Sequence, residues 1–487
     1  MRFCLLFNSV KYLLFLPAVL LVFWLSPHRW RVAILLGASY VFYMAWRPLY
    51  VLLIFAMTLV NFWFGFRIWE SKQKKKAWLV CALAVNLLTL AYFKYLYFFE
   101  DIVAGLMKPW FGEMAKSPMS IALPLGISFF VFEFVHYVVE IYRGREPVRN
   151  FFEFALFAAF FPTQIAGPIK QYQDFVPQLK VKKAFSWSEF DQGIFLILSG
   201  LFKKVLLADN LSYFVNSGYL HPHMFTGLDM WLLTFAFDFQ IYFDFSGYAD
   251  IARGSAQLLG FKVPINFDFP YLSGSITEFW QKWHITLGVW LRKYLYIPLG
   301  MTTNRMKMAR NLIITMTLVG LWHGAGFHYI LWGLYQGILM AVHREFKVFR
   351  MSNEWLGFVD SPPGHVLSVA VTFLSTTIGM VVFRAENMMS ASFMLRKMLL
   401  PDELFQAGNT GNSVSSVLAI NSPLIFPSIF LLLPIFIFGQ ILIRKLVKTG
   451  AIAKSPPLLK ATLVAGALFM LFAFAPDITP RFIYYQF

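Results

Sequence analysis

The sequence predicts an all-α, polytopic integral membrane protein, and three observations carry that prediction. Apolar runs close to the ~20 residues that cross a bilayer as a helix recur along the chain, for example at 48 to 66, 77 to 99, 228 to 243 and 424 to 442. Hydrophobic residues make up 58% of the 487 and charged residues only 14%, against ~25% charged in soluble domains. Basic residues gather in segments between the runs, the pattern of cytoplasmic loops. The formal net charge of +17, from 42 Lys and Arg against 25 Asp and Glu, would suggest a nucleic-acid partner for a soluble protein. The apolar runs exclude nucleic acid and turn the charge into a record of orientation.

The first run, residues 12 to 25, has no small-x-small cleavage site before Ser26-Pro27-His28-Arg29, so a retained helix is expected rather than a cleaved signal peptide. Arg29 and Arg31 follow it, and Arg67, Lys72, Lys74, Lys75 and Lys76 follow the third helix. The positive-inside rule places both loops in the cytoplasm and the N-terminus outside. The loop at 100 to 117 carries Glu100, Asp101 and Glu113 against Lys108 and Lys116, and Arg143, Arg145 and Arg149 follow the next helix, 121 to 142. Orientation alternates without conflict.

Two segments have basic residues at both ends. Residues 151 to 169 lie between Arg149 and Lys170, Lys180, Lys182 and Lys183, and Pro162, Gly167 and Pro168 interrupt an apolar run too short to cross twice. A re-entrant element on the cytoplasmic side fits, because non-helical backbone at membrane depth is tolerated only inside protein or beside a water-filled cavity. Residues 311 to 346 lie between Arg305, Lys307 and Arg310 and Arg344, Lys347 and Arg350, with LWHGAG (321 to 326) between. The glycines Gly324 and Gly326 permit unusual backbone conformations there. An entering helix of about 12 residues would rise ~18 Å, which places His323 deep in the ~30 Å hydrocarbon core. Crossings near 364 to 383, 424 to 442 and 459 to 475 complete the plan, with Asp402 and Glu403 outside and Arg444, Lys445 and Lys448 inside. The expectation is a single membrane domain over 1–487, with about ten full crossings plus the re-entrant elements near 151–169 and 311–346. No repeat of paired broken helices marks an inverted-repeat transporter.

An ionisable residue inside a membrane is a functional candidate by default, and His323, with an ordinary pKa near ~6.5, can act as a general base toward a hydroxyl. TEFWQKWHITLGVWLRKYLYIPLG (277 to 300) is amphipathic at helical spacing: Thr277, Gln281, His284, Gly288 and Arg292 share one stripe, and Phe279, Trp283, Leu287, Trp290 and Tyr294 the other. An interfacial helix is expected, with His284 either satisfied there or functional. Asp244, Ser246, Gly247 and Asp250 read first as a helix cap, and Glu133, His136, Tyr137 and Glu140 as a proton path or paired interior charges. His221-Pro222-His223 lacks a third ligand nearby, so no metal site is expected. Cys4 and Cys81 alone cannot build a disulfide framework or a four-cysteine metal centre. Neither a phosphate-binding G-x-x-x-x-G-K loop nor a G-x-S-x-G elbow is present in the sequence.

Four blocks, FFPTQIAGPIKQYQDFVPQL (160 to 179), YFDFSGYADIARGSAQLLGFKVPINFDFPY (242 to 271), SITEFWQKWHITLGVWLRKYLYIPLG (275 to 300) and GLWHGAGFHYILWGLYQG (320 to 337), together resemble the membrane-bound O-acyltransferases. The likeness is to the bacterial branch of alginate and peptidoglycan O-acetyltransferases and of the teichoic acid D-alanyl transfer protein. The resemblance implies a ring of membrane helices with re-entrant elements around a central catalytic funnel. It makes His323 the match to the family's catalytic histidine and His284 to its second histidine. GVWLRK and FHYILWG depart from the usual alginate-type residues, which weakens any assignment of alginate as acceptor.

The activity implied is O-acyl transfer in the bacterial inner (cytoplasmic) membrane. Acetyl-CoA would be the cytoplasmic donor substrate and no cofactor would be held permanently; Lys282 and Arg292 are candidates to contact its phosphates. The partners implied are a periplasmic acyltransferase or esterase-like protein, polysaccharide export machinery and membrane lipid. His323 would serve as general base or carry the acyl group covalently, an alternative the sequence leaves open. The acceptor stays open between alginate, another exopolysaccharide, peptidoglycan and a teichoic acid carrier. A proton-coupled transporter and a scaffold recruiting a soluble transferase are the readings from other classes.

Overall fold

The computed structural model describes residues 7, 9 to 111, 121 to 404, 438 to 446, 449, 455 to 475 and 482, and among them the regular elements are helices, with no strand. The chain forms two compact units, Met1–Gly200 with Tyr248–Ile265, and Leu201–Gly247 with Asn266–Phe487.

The first unit contains α1 (Val10–Leu25), α2 (His28–Met44), α3 (Tyr50–Glu70), α4 (Lys75–Phe111), α5 (Ile127–Tyr142), α6 (Phe151–Ala159), α7 (Tyr172–Lys180) and most of α8 (Trp187–Leu201). Serine and asparagine start helices by accepting from free backbone N–H groups: the Ser9 hydroxyl accepts from Tyr12 at 3.2 Å, and the Asn150 side chain from Phe152 at 2.9 Å. Asn61 of α3 and Asn86 of α4 exchange amide hydrogen bonds of 3.1 and 2.7 Å, both fully buried, a polar bond that holds apolar helices together where the hydrophobic effect cannot. The interruption expected at Pro162, Gly167 and Pro168 is present: α6 ends at Ala159, and residues 160 to 170 are non-helical and buried. Residues 100 to 111, taken from the sequence as loop, continue α4 instead, because their apolar and aromatic content sustains the helix.

The second unit begins with a π-helical turn, Phe202–Ala208, and α9 (Asp209–Leu220). α10 (Gly227–Leu258) follows, with its residues from Tyr248 onward in the first unit. Next come α11 (Ile276–Lys282), α12 (Ile285–Leu291), α13 (Arg305–His323), α14 (Phe327–Met351), α15 (Pro362–Arg384), α16 (Met388–Leu399) and α17 (Pro457–Phe474). α3, α4, α15 and α17 are long and apolar enough to cross a membrane, and α1 is a shorter apolar helix. Two expectations are corrected here. The 277 to 300 segment is not one amphipathic helix: it breaks at Trp283 and His284, and a π-helical turn, Arg292–Tyr296, follows α12. Asp244, Ser246, Gly247 and Asp250 are not a cap but lie inside α10. The crossing expected over 424 to 442 lies outside the described residues up to 437, and so do Cys4, Glu113, Lys116 and Lys448; 438 to 446 are helical.

α13 and α14 form the hairpin that carries LWHGAG. Their backbones meet at glycines: a Cβ on Gly320 would lie 2.1 Å from the Tyr329 carbonyl oxygen, and one on Gly333 2.3 Å from that of Met316. Small residues permit this approach, and close packing replaces the hydrophobic drive between helices in lipid. Gly324 is needed for a different reason from the one expected. Its φ of −164° is extended backbone open to any residue, but a Cβ there would lie 2.1 Å from the Tyr329 ring. Gly320→Ala should therefore lower the melting temperature of the detergent-solubilised protein, with an overpacking penalty of about 1–3 kcal/mol. Gly37→Ala in α2, where nothing lies within 4 Å of the added carbon, should be neutral or stabilising by about 0.5–1 kcal/mol. Equal shifts in the two variants would contradict this account of the hairpin.

Candidate active site

α13 ends on His323 because the following Gly324 turns extended, so the histidine occupies a helix terminus at the tip of the hairpin. Its side chain is buried among aromatic rings. Trp332 and Phe383 stand nearly perpendicular to it at 5.1 and 5.2 Å between centroids, and the neighbouring Trp322 is tilted against it at 4.6 Å. Rings so arranged direct their positive edges and negative faces against the imidazole.

His284 is the break itself. It has φ 45° and ψ 54°, and it and Phe269 are the described non-glycine residues with positive φ. Such strain, of order ~1–3 kcal/mol, persists only where the surroundings over-determine it. Asn266 supplies much of that constraint: its carbonyl oxygen accepts the Ile285 N–H at 2.9 Å, and its side-chain oxygen lies 3.1 Å from His284 Nδ1. Phe245 packs edge-on against the imidazole at 4.7 Å. Burial at this position disfavours the charged imidazole.

Trp322 joins the two. Its ring lies 6.5 Å from that of His284 while also packing on His323. The structure thus brings together two buried histidines that lie on separate elements, around one half-buried indole and in one aromatic cage. It does not bring Lys282 and Arg292 to that cage in the same way. Lys282 is half-buried and forms an ion pair with Glu278, whose carboxylate also accepts the Gly274 N–H at 2.8 Å. Arg292 is exposed at the π-helical turn.

The model of the membrane-bound O-acyltransferase family matches residues 35–356. The chain belongs to this family. Among its relatives, the "Probable alginate O-acetylase AlgI" of Pseudomonas aeruginosa is 40% identical over 420 residues, covering 84% of this chain and 78% of that protein. The peptidoglycan O-acetyltransferase of Helicobacter pylori is 34% identical over 82% of this chain and 80% of its own length. The teichoic acid D-alanyltransferase of Bacillus subtilis is 27% identical over 53% of the chain and 68% of its own length. A membrane-bound O-acyltransferase is an enzyme of group transfer, which removes the transporter and scaffold readings.

The acidic residues of α5 and α10 noted in the sequence of this O-acyltransferase are paired. Glu133 accepts from Lys170 at 2.7 Å; Glu140 accepts from Arg143 at 3.1 Å and from Gln173 at 3.0 Å; and His136 Nε2 accepts the Tyr172 N–H at 3.2 Å. The interior-pair reading of that helix face fits, rather than a proton path. Asp244, with Asp209, receives Lys204 at 2.6 and 2.7 Å, a buried group that explains how a charge sits within α10. Asp250 pairs with Arg253 at 3.6 Å. His221 precedes a short 3-10 turn and His223 lies within it, and among the described residues no group of three or more His, Cys, Asp or Glu is placed to hold a metal. Sequence reasoning passed over Asn266, Lys204 and Trp322. Asn266 and Trp322 stood inside the quoted blocks, but spacing alone gave no reason to single them out.

Lys170→Met leaves Glu133 buried and unpaired and should destabilise the protein by about 3–5 kcal/mol. The double variant Lys170→Met/Glu133→Leu should recover most of that loss in thermal unfolding, since an apolar pair can replace a buried ion pair. A double variant as unstable as the single one would show that the two residues contribute more than a neutralised pair.

Proposed function

We propose that the enzyme moves an acetyl group from acetyl-CoA, bound from the cytoplasm, to an acceptor hydroxyl for O-acetylation of an exported polysaccharide. The observation that carries this reading is the aromatic cage in which Trp322 packs against both His284 and His323. Family membership supplies the reaction class, and the acetylating relatives support acetyl as the group transferred.

In this reading the chain works as one membrane domain of the bacterial inner membrane, and the hairpin of α13 and α14 re-enters from the cytoplasmic side. His323 takes the proton of the acceptor hydroxyl as general base. The freed oxygen attacks the thioester carbonyl carbon, the carbon–sulfur bond breaks, and the proton passes to the departing thiolate. Atoms and charge balance without a further reactant. Exclusion of water by the cage protects the thioester from hydrolysis. His284, whose ring lies 6.5 Å from that of Trp322, supports the reacting groups, and Lys282 and Arg292, on the 276 to 296 segment, offer cations for the donor's phosphates.

An exopolysaccharide such as alginate is the acceptor supported by the AlgI-type relatives. Peptidoglycan is a second, favoured by the Helicobacter pylori relative, which matches a similar share of the chain. A periplasmic acyltransferase completes transfer onto the polymer, beside the export machinery.

His323→Ala should reduce polymer acetylation by about 10²–10⁴-fold, the contribution of a general base, with the amount of protein in the membrane unchanged. His284→Ala should also cause a severe loss. Both are read from labelled acetate incorporated into exported polymer, which also identifies the acceptor; full activity in His323→Ala would remove the proposal.

A further inference from the structure

Asn266 does more than brace the break at His284. Its side-chain Oδ1 receives the Thr286 N–H at 3.3 Å and the Thr286 hydroxyl at 2.9 Å, and lies 3.1 Å from His284 Nδ1. A backbone N–H can only donate, so the Thr286 amide identifies the asparagine atom facing it as oxygen. That oxygen can only accept, so the proton between Asn266 and His284 must sit on His284 Nδ1. In a neutral imidazole the other nitrogen is then the acceptor. From this geometry we infer that Asn266 is a positioning residue of the acyl transfer: it holds His284 in the Nδ1–H tautomer and leaves Nε2 as the nitrogen that accepts a proton or a hydrogen bond from the reacting groups.

The surroundings enforce the same choice. His284, Asn266 and Thr286 are all buried, so water cannot replace the bond if the ring turns over. The left-handed backbone at His284 aims the imidazole back toward the 266 loop. The Asn266 carbonyl holds Ile285 in place, so residues on either side of the clasp are tied to one asparagine. His284 thereby becomes a fixed acceptor rather than a cation, suited to accept a hydrogen bond from the reacting groups and unsuited to neutralise an oxyanion by charge.

The inference rests on the proposed site, and the test separates the two. Full-length enzyme labelled with ¹⁵N-histidine is studied in lipid nanodiscs, with His284→Gln used to assign the His284 ring signals. The wild type should show Nδ1 protonated and Nε2 bare across neutral and mildly acidic pH. Asn266→Ala should mix the two tautomers and lower acetyl transfer by about 10- to 10⁴-fold, the upper figure being the loss when a catalytic imidazole is held in the wrong tautomer. Asn266→Asp keeps an acceptor, with both Thr286 donors left to hold its carboxylate. It should preserve the Nδ1–H tautomer, retain more activity than the alanine variant, and raise the pH at which His284 gains a second proton by about 1–3 units.

A wild-type His284 protonated on Nε2 would overturn the inference, as would alanine and aspartate variants that lose activity equally with no change in that titration. If Asn266→Ala does not fold, the wild-type spectrum and the aspartate variant decide. Full activity in His284→Ala would instead remove the proposed role of this histidine, while the wild-type spectrum still reports whether Asn266 sets its tautomer.

Discussion

A buried backbone N–H or C=O must find its partner within the protein, and this constraint governs where the chain can leave helical geometry. Three breaks matter here: residues 160 to 170, His284 between α11 and α12, and the turn after His323. Each is enclosed. The first is walled by phenylalanines of α6 and by α7, the second is clasped by Asn266, and the third is closed by Tyr329 folding over Gly324. Both candidate histidines stand at such breaks, where a side chain leaves the helix surface and can point into an enclosed space.

Buried charge follows the same logic. Desolvating an ion is so unfavourable that it persists only with a partner, and Glu133 with Lys170, and Lys204 with Asp209 and Asp244, meet that condition at 2.6 to 2.7 Å. These groups stabilise the interior and are committed to one another. The histidines differ because their packing is mainly aromatic and because imidazole can be neutral. A neutral ring enters a buried site at little electrostatic expense yet keeps a lone pair for proton transfer, which suits an acyl-transfer enzyme.

The elements of this O-acyltransferase show how position and chemistry are divided. Close glycine contacts align α13 with α14 and so fix His323 at the hairpin tip; Trp332 of α14 and Phe383 of α15 complete its surroundings. Trp322, adjacent in sequence to one histidine, reaches the other in space. A single indole therefore packs beside both imidazoles.

Much of the fold was legible in the sequence because it depends on properties that act locally. Apolar run length marked α1, α3, α4, α15 and α17, basic flanks drew attention to the segments around 160 and 324, and LWHGAG singled out His323. The long-range partners were not legible. Helical periodicity carried His284 through as one position on a continuous stripe, whereas Asn266, on a different loop, breaks the helix there and turns the ring. Asp244 looked like a cap because its partner, Lys204, lies far away along the chain. Hydropathy and charge report how each segment meets lipid and water, which is a property of the segment itself. Tautomer, ion pairing and backbone strain are set by atoms brought to within about 3 Å from distant positions, and only the folded chain decides which atoms those are.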